Sequence, residues 1–157
     1  MEAAIYMAPR RWADRLPAGT ADLRTAAALG GRNWDLLVLT PEGCRTQPEA
    51  RCRLLLAPGD CPEALVRVRA DAVVSYGLSL RDTLTLSSLA DPLLCLQRAI
   101  PLPGGASIEP QEFPLPPLPE PPEGLLPLLG LWLILGRPGG HTAPFPTAFS
   151  LPDLTPE

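Results

Sequence analysis

The stretch from Asp71 to Ile100 changes its hydropathy pattern at Gly77, and this change constrains the fold more than any other feature. Before Gly77 lies a continuous apolar run rich in β-branched residues, AVVSY, which is typical of a strand covered on both faces. After the turn, residues 83–88 alternate threonine or serine with leucine, which predicts a strand with one solvent-exposed face and one buried face. Residues 93–99 predict a second strand that pairs with this alternating strand. The stretch therefore predicts a buried strand followed by an antiparallel pair.

Upstream of Gly77, dry strands alternate with short helices. Strands are predicted over residues 3–8, 34–39, 53–57 and 72–76, each followed by a turn that contains Gly, Pro or Asp. Helices are predicted over residues 10–16, 21–29 and 62–69, the second capped by Thr20 and the third by Asp60. A last strand over residues 107–113 completes the extension. This order predicts an α/β fold: a small three-layer, mainly parallel sheet with an antiparallel β extension and a C-terminal apolar helix.

The C-terminal part of the chain is organised by proline and leucine. Residues 114–122 (PLPPLPEPP) predict a stiff connection, with a ligand for an SH3-like or WW-like groove as the alternative. Residues 123–136 predict a helix that is apolar nearly all round and therefore needs burial. Its apolar run is about half of the ~20 residues that a membrane span needs, so we expect no membrane partner. We expect a single α/β domain over residues 1–136 and a disordered tail over residues 137–157.

The composition excludes several kinds of chemistry. All 13 cationic residues are arginine, which excludes lysine-dependent Schiff-base, general-base and phosphate-loop chemistry. The one histidine is His141 and the four cysteines show no C-x-x-C spacing, so we expect no metal and no cofactor. No basic stripe with interleaved aromatic residues is present, so we expect no nucleic-acid partner. Without a secretion signal, we expect a cytoplasmic protein with reduced thiols, and its composition is typical of a GC-rich bacterial genome.

Candidate binding residues gather at the turns that follow the predicted strands, because open α/β sheets bind ligands at the carboxyl ends of their strands. These turns are residues 40–43, 58–60 and 76–82. Arg81 is the predicted cationic contact, and Tyr76 is the predicted aromatic contact. The complete candidate set for ligand binding is Glu42, Asp60, Tyr76, Ser79, Arg81 and Asp82.

Two interpretations of function follow from these residues. The first is a non-catalytic binding or assembly module with a protein or small-molecule partner, with homo-oligomerisation through residues 123–136 as one form of assembly. The alternative is a carboxylate-dependent hydrolase or transferase in which Asp60 and Asp82 converge in one cleft at the carboxyl ends of the strands. Cys61, near the start of a predicted helix, is a candidate reactive thiol, although we favour an inert one.

Two segments together resemble the later part of the central domain of the Mur ligases, which build cell-wall precursors. Residues 71–88 contain Ser75-Tyr76-Gly77-Leu78, similar to that family's (T/S)-Y-G-hydrophobic strand end before an alternating strand. Residues 112–136 contain EFPLP before an apolar helix, similar to the family's L-P-L-P-G strand end and following helix. The family's ATP-binding loop and its catalysis use lysines that this chain lacks. The resemblance therefore implies a shared sheet topology without ligase activity, and no catalytic residue carries over.

Overall fold

The predicted apolar strands and the alternating segment form one mixed β-sheet. The computed structural model describes residues 1–88 and 90–136. In chain order the strands are β1 (Ala3–Tyr6), β2 (Thr20–Leu23), β3 (Asn33–Leu39), β4 (Ala50–Pro58), β5 (Val68–Tyr76), β6 (Leu84–Leu86), β7 (Leu93–Leu96), β8 (Ile100–Pro101), β9 (Ser107–Ile108) and β10 (Gln111–Pro114). The α-helices are α1 (Ala26–Gly30), α2 (Pro41–Arg45) and α3 (Leu126–Leu135), and 3₁₀ helices cover Arg10–Arg15, Pro62–Leu65 and Pro122–Leu125.

The strand order of the main sheet is β10-β7-β6-β5-β4-β3-β1-β2. Every neighbouring pair from β2 to β6 is parallel, whereas β6 with β7 and β7 with β10 pair antiparallel. Strands β8 and β9 form a separate antiparallel pair. The predicted α/β fold, with a mainly parallel sheet, an antiparallel extension and a C-terminal apolar helix, is confirmed.

Helices cover both faces of the sheet, which explains why its central strands are apolar on both sides. On one face, α3 and the side chain of Trp12 pack with Leu36 of β3 and Leu54 of β4. On the other face, α1 and α2 pack with Leu37 of β3 and Leu55 of β4. The helices and the sheet thus form three layers, with a separate apolar core on each side of the sheet.

Helix α3 is buried on nearly all sides, as its apolar sequence predicts. An added Cβ on Gly130 would lie 2.5 Å from Leu56 Cδ2, so glycine lets the helix approach the sheet closely. Trp132 donates its indole N–H to the carbonyl oxygen of Arg15 at 2.7 Å. Because the apolar side chains of α3 are buried within the chain, the helix lacks the exposed apolar stripe that homo-oligomerisation through residues 123–136 would need. Within the described residues, no helix combines the length and the hydropathy needed to cross a membrane.

Glu120 fixes the proline-rich connection to the N-terminal 3₁₀ helix. Its carboxylate accepts hydrogen bonds from Arg11 Nε at 2.7 Å, Arg11 Nη2 at 2.8 Å and Trp12 Nε1 at 3.0 Å. Leu115 and Leu118 pack against the core nearby. The segment therefore serves as the predicted connection. Pro114, Pro117 and Pro121 remain exposed, so the alternative of a ligand for an SH3-like or WW-like groove stays a prediction.

The predicted helix over residues 21–29 is wrong in its first half. Residues Thr20–Leu23 form β2, in which Ala21 pairs with Ala4 of β1, and α1 covers only Ala26–Gly30. Thr25 caps this helix in place of Thr20, and its Oγ1 accepts a hydrogen bond from Ala28 N at 3.1 Å. Pairing with β1 satisfies the backbone of β2 and overrides the helix propensity of alanine.

The predicted helix over residues 62–69 is also wrong. Only the 3₁₀ helix Pro62–Leu65 forms. No side chain caps it, so Asp60 does not act as the cap that the sequence predicts. Strand β5 begins at Val68, where it already pairs with Ala50 of β4. Val68 and Arg69 belong to the long parallel ladder of β4 with β5, so they cannot belong to the predicted helix.

The prediction of a solvent-exposed face over residues 83–88 is wrong as well. Thr83 and Thr85 are only 7% and 6% exposed, and the Thr83 hydroxyl accepts a hydrogen bond from Arg98 Nη1 at 3.3 Å. The other predicted strands differ mainly in their ends. Strand β1 stops at Tyr6, before Met7 with its φ of 66°, and residues 107–113 divide into β9 and β10. The predicted tail over residues 137–157, with His141, lies outside the described residues.

Candidate functional site

The carboxyl ends of β3, β4 and β5 lie at one edge of the sheet. Pro58, the last residue of β4, pairs with Tyr76, the last residue of β5, and Gly59 N donates to Tyr76 O at 3.0 Å. The Tyr76 hydroxyl donates to the carbonyl oxygen of Leu39, at the end of β3, at 2.7 Å. The three turns that the sequence predicts as a ligand edge are therefore adjacent in the structure.

Helix α2 fills the crevice where an open α/β sheet of this order would first be expected to bind a ligand. The order β2-β1-β3 places the reversal of strand order between β1 and β3. There the Thr40 hydroxyl lies 3.1 Å from Tyr6 O and 2.9 Å from Met7 O, and it accepts a hydrogen bond from Gly43 N. A Cβ on Gly43 would lie 2.8 Å from Tyr6 Cδ2, so the helix packs tightly onto the strand end. Open space remains farther along, above β4 and β5.

A cavity of about 660 Å³ occupies that space, which is within the usual range for small-molecule sites. Its walls come from α2, the turn after β4, the loop between β5 and β6, and the start of α3. Five of the six predicted binding residues line it, whereas Glu42 of α2 does not. The lining residues are Pro41, Arg45, Pro58, Gly59, Asp60, Cys61, Tyr76, Gly77, Leu78, Ser79, Arg81, Asp82, Glu123 and Leu126.

Asp82 connects the two turns at the base of the cavity. Its side chain is 5% exposed, and Oδ2 accepts a hydrogen bond from Ser79 N at 3.1 Å. A Cβ on Gly59 would overlap Asp82 Oδ1, and a Cβ on Gly77 would lie 2.5 Å from Oδ2. The carboxylate therefore rests directly against the backbone of both turns. This placement assigns Asp82 a part in shaping the site.

The loop over residues 77–83 is held by side chains that follow β7. Gln97 Nε2 donates to Leu80 O at 3.1 Å and to Asp82 O at 2.6 Å. Arg98 Nη1 donates to Arg81 O at 2.7 Å. Three consecutive carbonyl groups of an irregular loop thus have side-chain partners, which fixes the loop without regular secondary structure.

Charged side chains of both signs face the cavity. Arg45 and Arg81 are exposed, and among the described residues no ion pair forms with either guanidinium. Asp60 and Glu123 are exposed carboxylates on the same lining. Guanidinium groups bind carboxylate or phosphate, and carboxylates bind hydroxyl or amine donors. The arrangement suits a small polar ligand that carries an anionic group together with hydrogen-bond donors.

Tyr76 is 4% exposed, and its hydroxyl is already engaged with Leu39 O. Burial raises the pKa of the Tyr76 phenol above its ordinary value, and Coulombic repulsion from Cys44, Asp60 and Cys61 in their ionised forms raises it further. The phenol is therefore neutral at physiological pH and acts as a hydrogen-bond donor within the fold. The aromatic role predicted for Tyr76 is limited to the small part of the ring that borders the cavity.

Two thiols meet at the wall formed by α2 and the turn after β4. Cys61 Sγ lies 3.5 Å from Cys44 Sγ, and Cys61 also lines the cavity. Cys44 is fully buried, and desolvation by burial, with the hydrogen bond to Cys61, raises the pKa of its thiol to about 12. The buried Cys44 thiol is therefore protonated at neutral pH.

Sequence reasoning missed Arg45 and Glu123 on the lining, and Gln97 and Arg98 behind the loop. Arg45 lies just outside the predicted turn at residues 40–43, and Glu123 is about 40 residues from the predicted turn at residues 76–82. Local sequence patterns carry no signal for such contacts, because tertiary packing alone brings these segments together. Among residues 1–88 and 90–136, no cluster of three or more His, Cys, Asp or Glu side chains is spaced to hold a metal ion. Comparison of the chain with protein-family models, curated proteins and solved structures found no match.

Proposed function

We propose that this chain is a non-catalytic binding module that holds a small polar ligand in the cavity at the carboxyl ends of β4 and β5. The observation that carries the proposal is a preformed cavity of about 660 Å³ whose irregular loop is fixed by Gln97, Arg98 and Asp82. A loop fixed before binding lowers the entropy cost of binding, which favours affinity. Loops positioned by a rigid scaffold are also the usual place for binding residues.

The charges on the lining indicate the class of ligand. Arg45 and Arg81 approach from different walls and have no carboxylate partner within the described residues, so an anionic group of the ligand would supply one. Asp60 and Glu123 would then accept hydrogen bonds from hydroxyl or amine groups of the same ligand.

A thermal-shift and calorimetry panel tests this proposal. The probes are nucleoside mono- and diphosphates and nucleotide-linked cell-wall precursors. We expect at least one probe to raise Tm, and we expect Arg81→Ala or Arg45→Ala to weaken its binding about tenfold. Arg10→Ala is the matched control, because Arg10 is an exposed arginine outside the cavity lining. Binding that neither Arg81→Ala nor Arg45→Ala weakens would place the ligand elsewhere and contradict the proposal.

The second candidate is a carboxylate-dependent hydrolase or transferase, which is favoured by one observation: Asp60 and Asp82 line the same cavity. Against it, Asp82 already accepts a hydrogen bond from Ser79 N and packs on two glycines. Chromogenic esters, phosphates and glycosides separate the two functions. Turnover that both Asp60→Asn and Asp82→Asn abolish, with the fold retained, would support the enzyme.

We also propose a cytoplasmic bacterial location and a sheet topology shared with the central domain of the Mur ligases. The free thiols of Cys44 and Cys61, close enough to oxidise, support a reducing compartment. The topology proposal is supported by β5, which ends in Ser75-Tyr76 beside β6, and by β10, which precedes the proline-rich connection and α3. Cell fractionation with an antibody to the chain tests the location.

A further inference from the structure

Cys44 and Cys61 form a site that the proposed binding function does not use. Their sulfur atoms lie 3.5 Å apart, although the residues belong to different elements, α2 and the turn that leads into Pro62–Leu65. A disulfide needs a sulfur–sulfur distance of about 2.05 Å, so the sulfurs have to approach by about 1.5 Å. Cys44 Sγ also lies 3.9 Å from the carbonyl oxygen of Cys61, so the Cys44 side chain lies against the backbone at Cys61.

The two thiols differ in their access to solvent. Cys61 is half-buried and lines the cavity, so a small oxidant that enters the cavity reaches its sulfur. Cys44 is fully buried and meets only reagents that Cys61 has already engaged. A partly accessible attacking thiol beside a buried resolving thiol is an arrangement that converts a sulfenic acid into a disulfide.

We propose that Cys44 and Cys61 are a peroxide-oxidisable dithiol, whose disulfide fastens α2 to the segment that leaves β4. The two elements form adjacent walls of the cavity, through Pro41 and Arg45 on one side and Gly59 and Asp60 on the other. Oxidation therefore locks one side of the cavity, and reduction releases it. This inference holds whether or not the cavity binds a ligand.

The oxidation proceeds in two balanced steps. The Cys61 sulfur attacks one oxygen of hydrogen peroxide and the O–O bond breaks. The departing hydroxide takes up the proton of the Cys61 thiol and leaves as water, and a sulfenic acid remains on Cys61. The Cys44 sulfur then attacks the Cys61 sulfur. A sulfur–sulfur bond forms, and the hydroxyl group leaves with the Cys44 proton as a second water. Two thiols lose two electrons in all, and the peroxide is reduced to water.

The neighbouring charges set the conditions of the experiment. Burial and the hydrogen bond to Cys61 raise the pKa of Cys44, and the negative charges of Asp60 and Glu63 raise it further. A protonated Cys44 thiol is a poor nucleophile, so we expect the second step, its attack on the Cys61 sulfur, to be slow. A series of peroxide concentrations with long incubation is therefore needed.

The test treats the full-length reduced protein with hydrogen peroxide, alkylates the remaining thiols in denaturant and maps them by mass spectrometry. We expect Cys44 and Cys61 to become protected from alkylation together, and dithiothreitol to reverse the protection. We expect the Tm of the oxidised monomer to rise, because the disulfide constrains the unfolded chain. Cys44→Ala and Cys61→Ala should each abolish the Tm rise, whereas Cys52→Ala and Cys95→Ala should keep it.

A second measurement needs no variant. Phenylarsine oxide binds pairs of closely spaced thiols, so the reduced wild-type protein should bind one equivalent that blocks alkylation of Cys44 and Cys61. Oxidation that forms only disulfides between chains, or that takes Cys61 to the sulfinic acid with Cys44 still alkylated, would overturn the proposal. Arsenical binding at Cys52 or Cys95 with Cys44 and Cys61 free would overturn it as well.

Discussion

The Asp82 carboxylate occupies the space that a side chain at position 59 would need, because a Cβ on Gly59 would overlap Asp82 Oδ1. The pair joins the turn after β4 to the loop after β5 at the base of the cavity. Position 59 therefore requires glycine, because the Asp82 side chain packs directly against the backbone there.

The first prediction is a double-mutant cycle on this pair. We expect Gly59→Ala to lower the free energy of unfolding by about 2 kcal/mol, because the added methyl group displaces the carboxylate. In an Asp82→Ala background the space is empty, so the same change should cost much less, and the coupling should exceed about 1 kcal/mol. Urea denaturation of the wild type, the two single variants and the double variant measures this coupling free energy. Strictly additive effects would show that the two residues do not compete for space.

A second prediction concerns the close approach of α3 to the sheet at Gly130. Alanine is favoured over glycine in a helix by about 1 kcal/mol, but the added methyl group would press on Leu56 and Leu84, both fully buried. Overpacking of this kind costs about 1–3 kcal/mol, so we expect Gly130→Ala to destabilise the protein and Gly130→Val to destabilise it further. Gly124→Ala is the control, since nothing lies within 4 Å of its Cβ position. The measurement is the urea midpoint, and an increase in stability for Gly130→Ala would contradict the close packing.

The third prediction is acid sensitivity at Glu120. Hydrogen bonds from Arg11, and then from Trp12, lower the pKa of the Glu120 carboxyl below its ordinary 4.5. Its stabilising effect is therefore present above pH 4.5 and is lost as pH falls through the lowered value. We expect Glu120→Gln to cost about 1 kcal/mol at pH 7 and to flatten the fall in stability below pH 4.5. Glu49→Gln, an exposed carboxylate without an ion pair among the described residues, should change neither.

A fourth prediction is alkaline sensitivity through Cys52. Burial, and then the charge of Asp71, raises the pKa of its thiol from 9.0 to about 12. In the unfolded chain this thiol ionises near pH 9, whereas in the folded chain it stays protonated, so stability falls as pH rises from 9 to 12. We expect Cys52→Ala to show a smaller fall over that range in chemical denaturation. Equal slopes for the variant and the wild type would contradict the buried thiol.

Residues 34–39 and 72–76 were predictable as strands because an apolar run of strand length with a turn behind it has few alternative structures. The predicted cover on both faces of residues 72–76 is wrong, because Val73 is 58% exposed. Residues 20–23 and 68–69 were not predictable as strands, since their strand form comes from pairing with β1 and β4, which local propensity does not encode. For the site, the edge was predictable from the rule that ligands meet the carboxyl ends of parallel strands. The partners Gln97 and Arg98 were not, because β7 returns them to the loop through antiparallel pairing with β6.

Strand β10 is one of the two outer strands of the main sheet, and its sequence has a consequence for behaviour at high concentration. It is four residues long, carries the exposed Gln111 and Glu112, and finishes with Pro114, whose nitrogen has no hydrogen to donate. Short, charged, proline-terminated borders discourage the addition of strands from other molecules. The antiparallel extension thus ends the sheet and also protects this border from edge-to-edge aggregation.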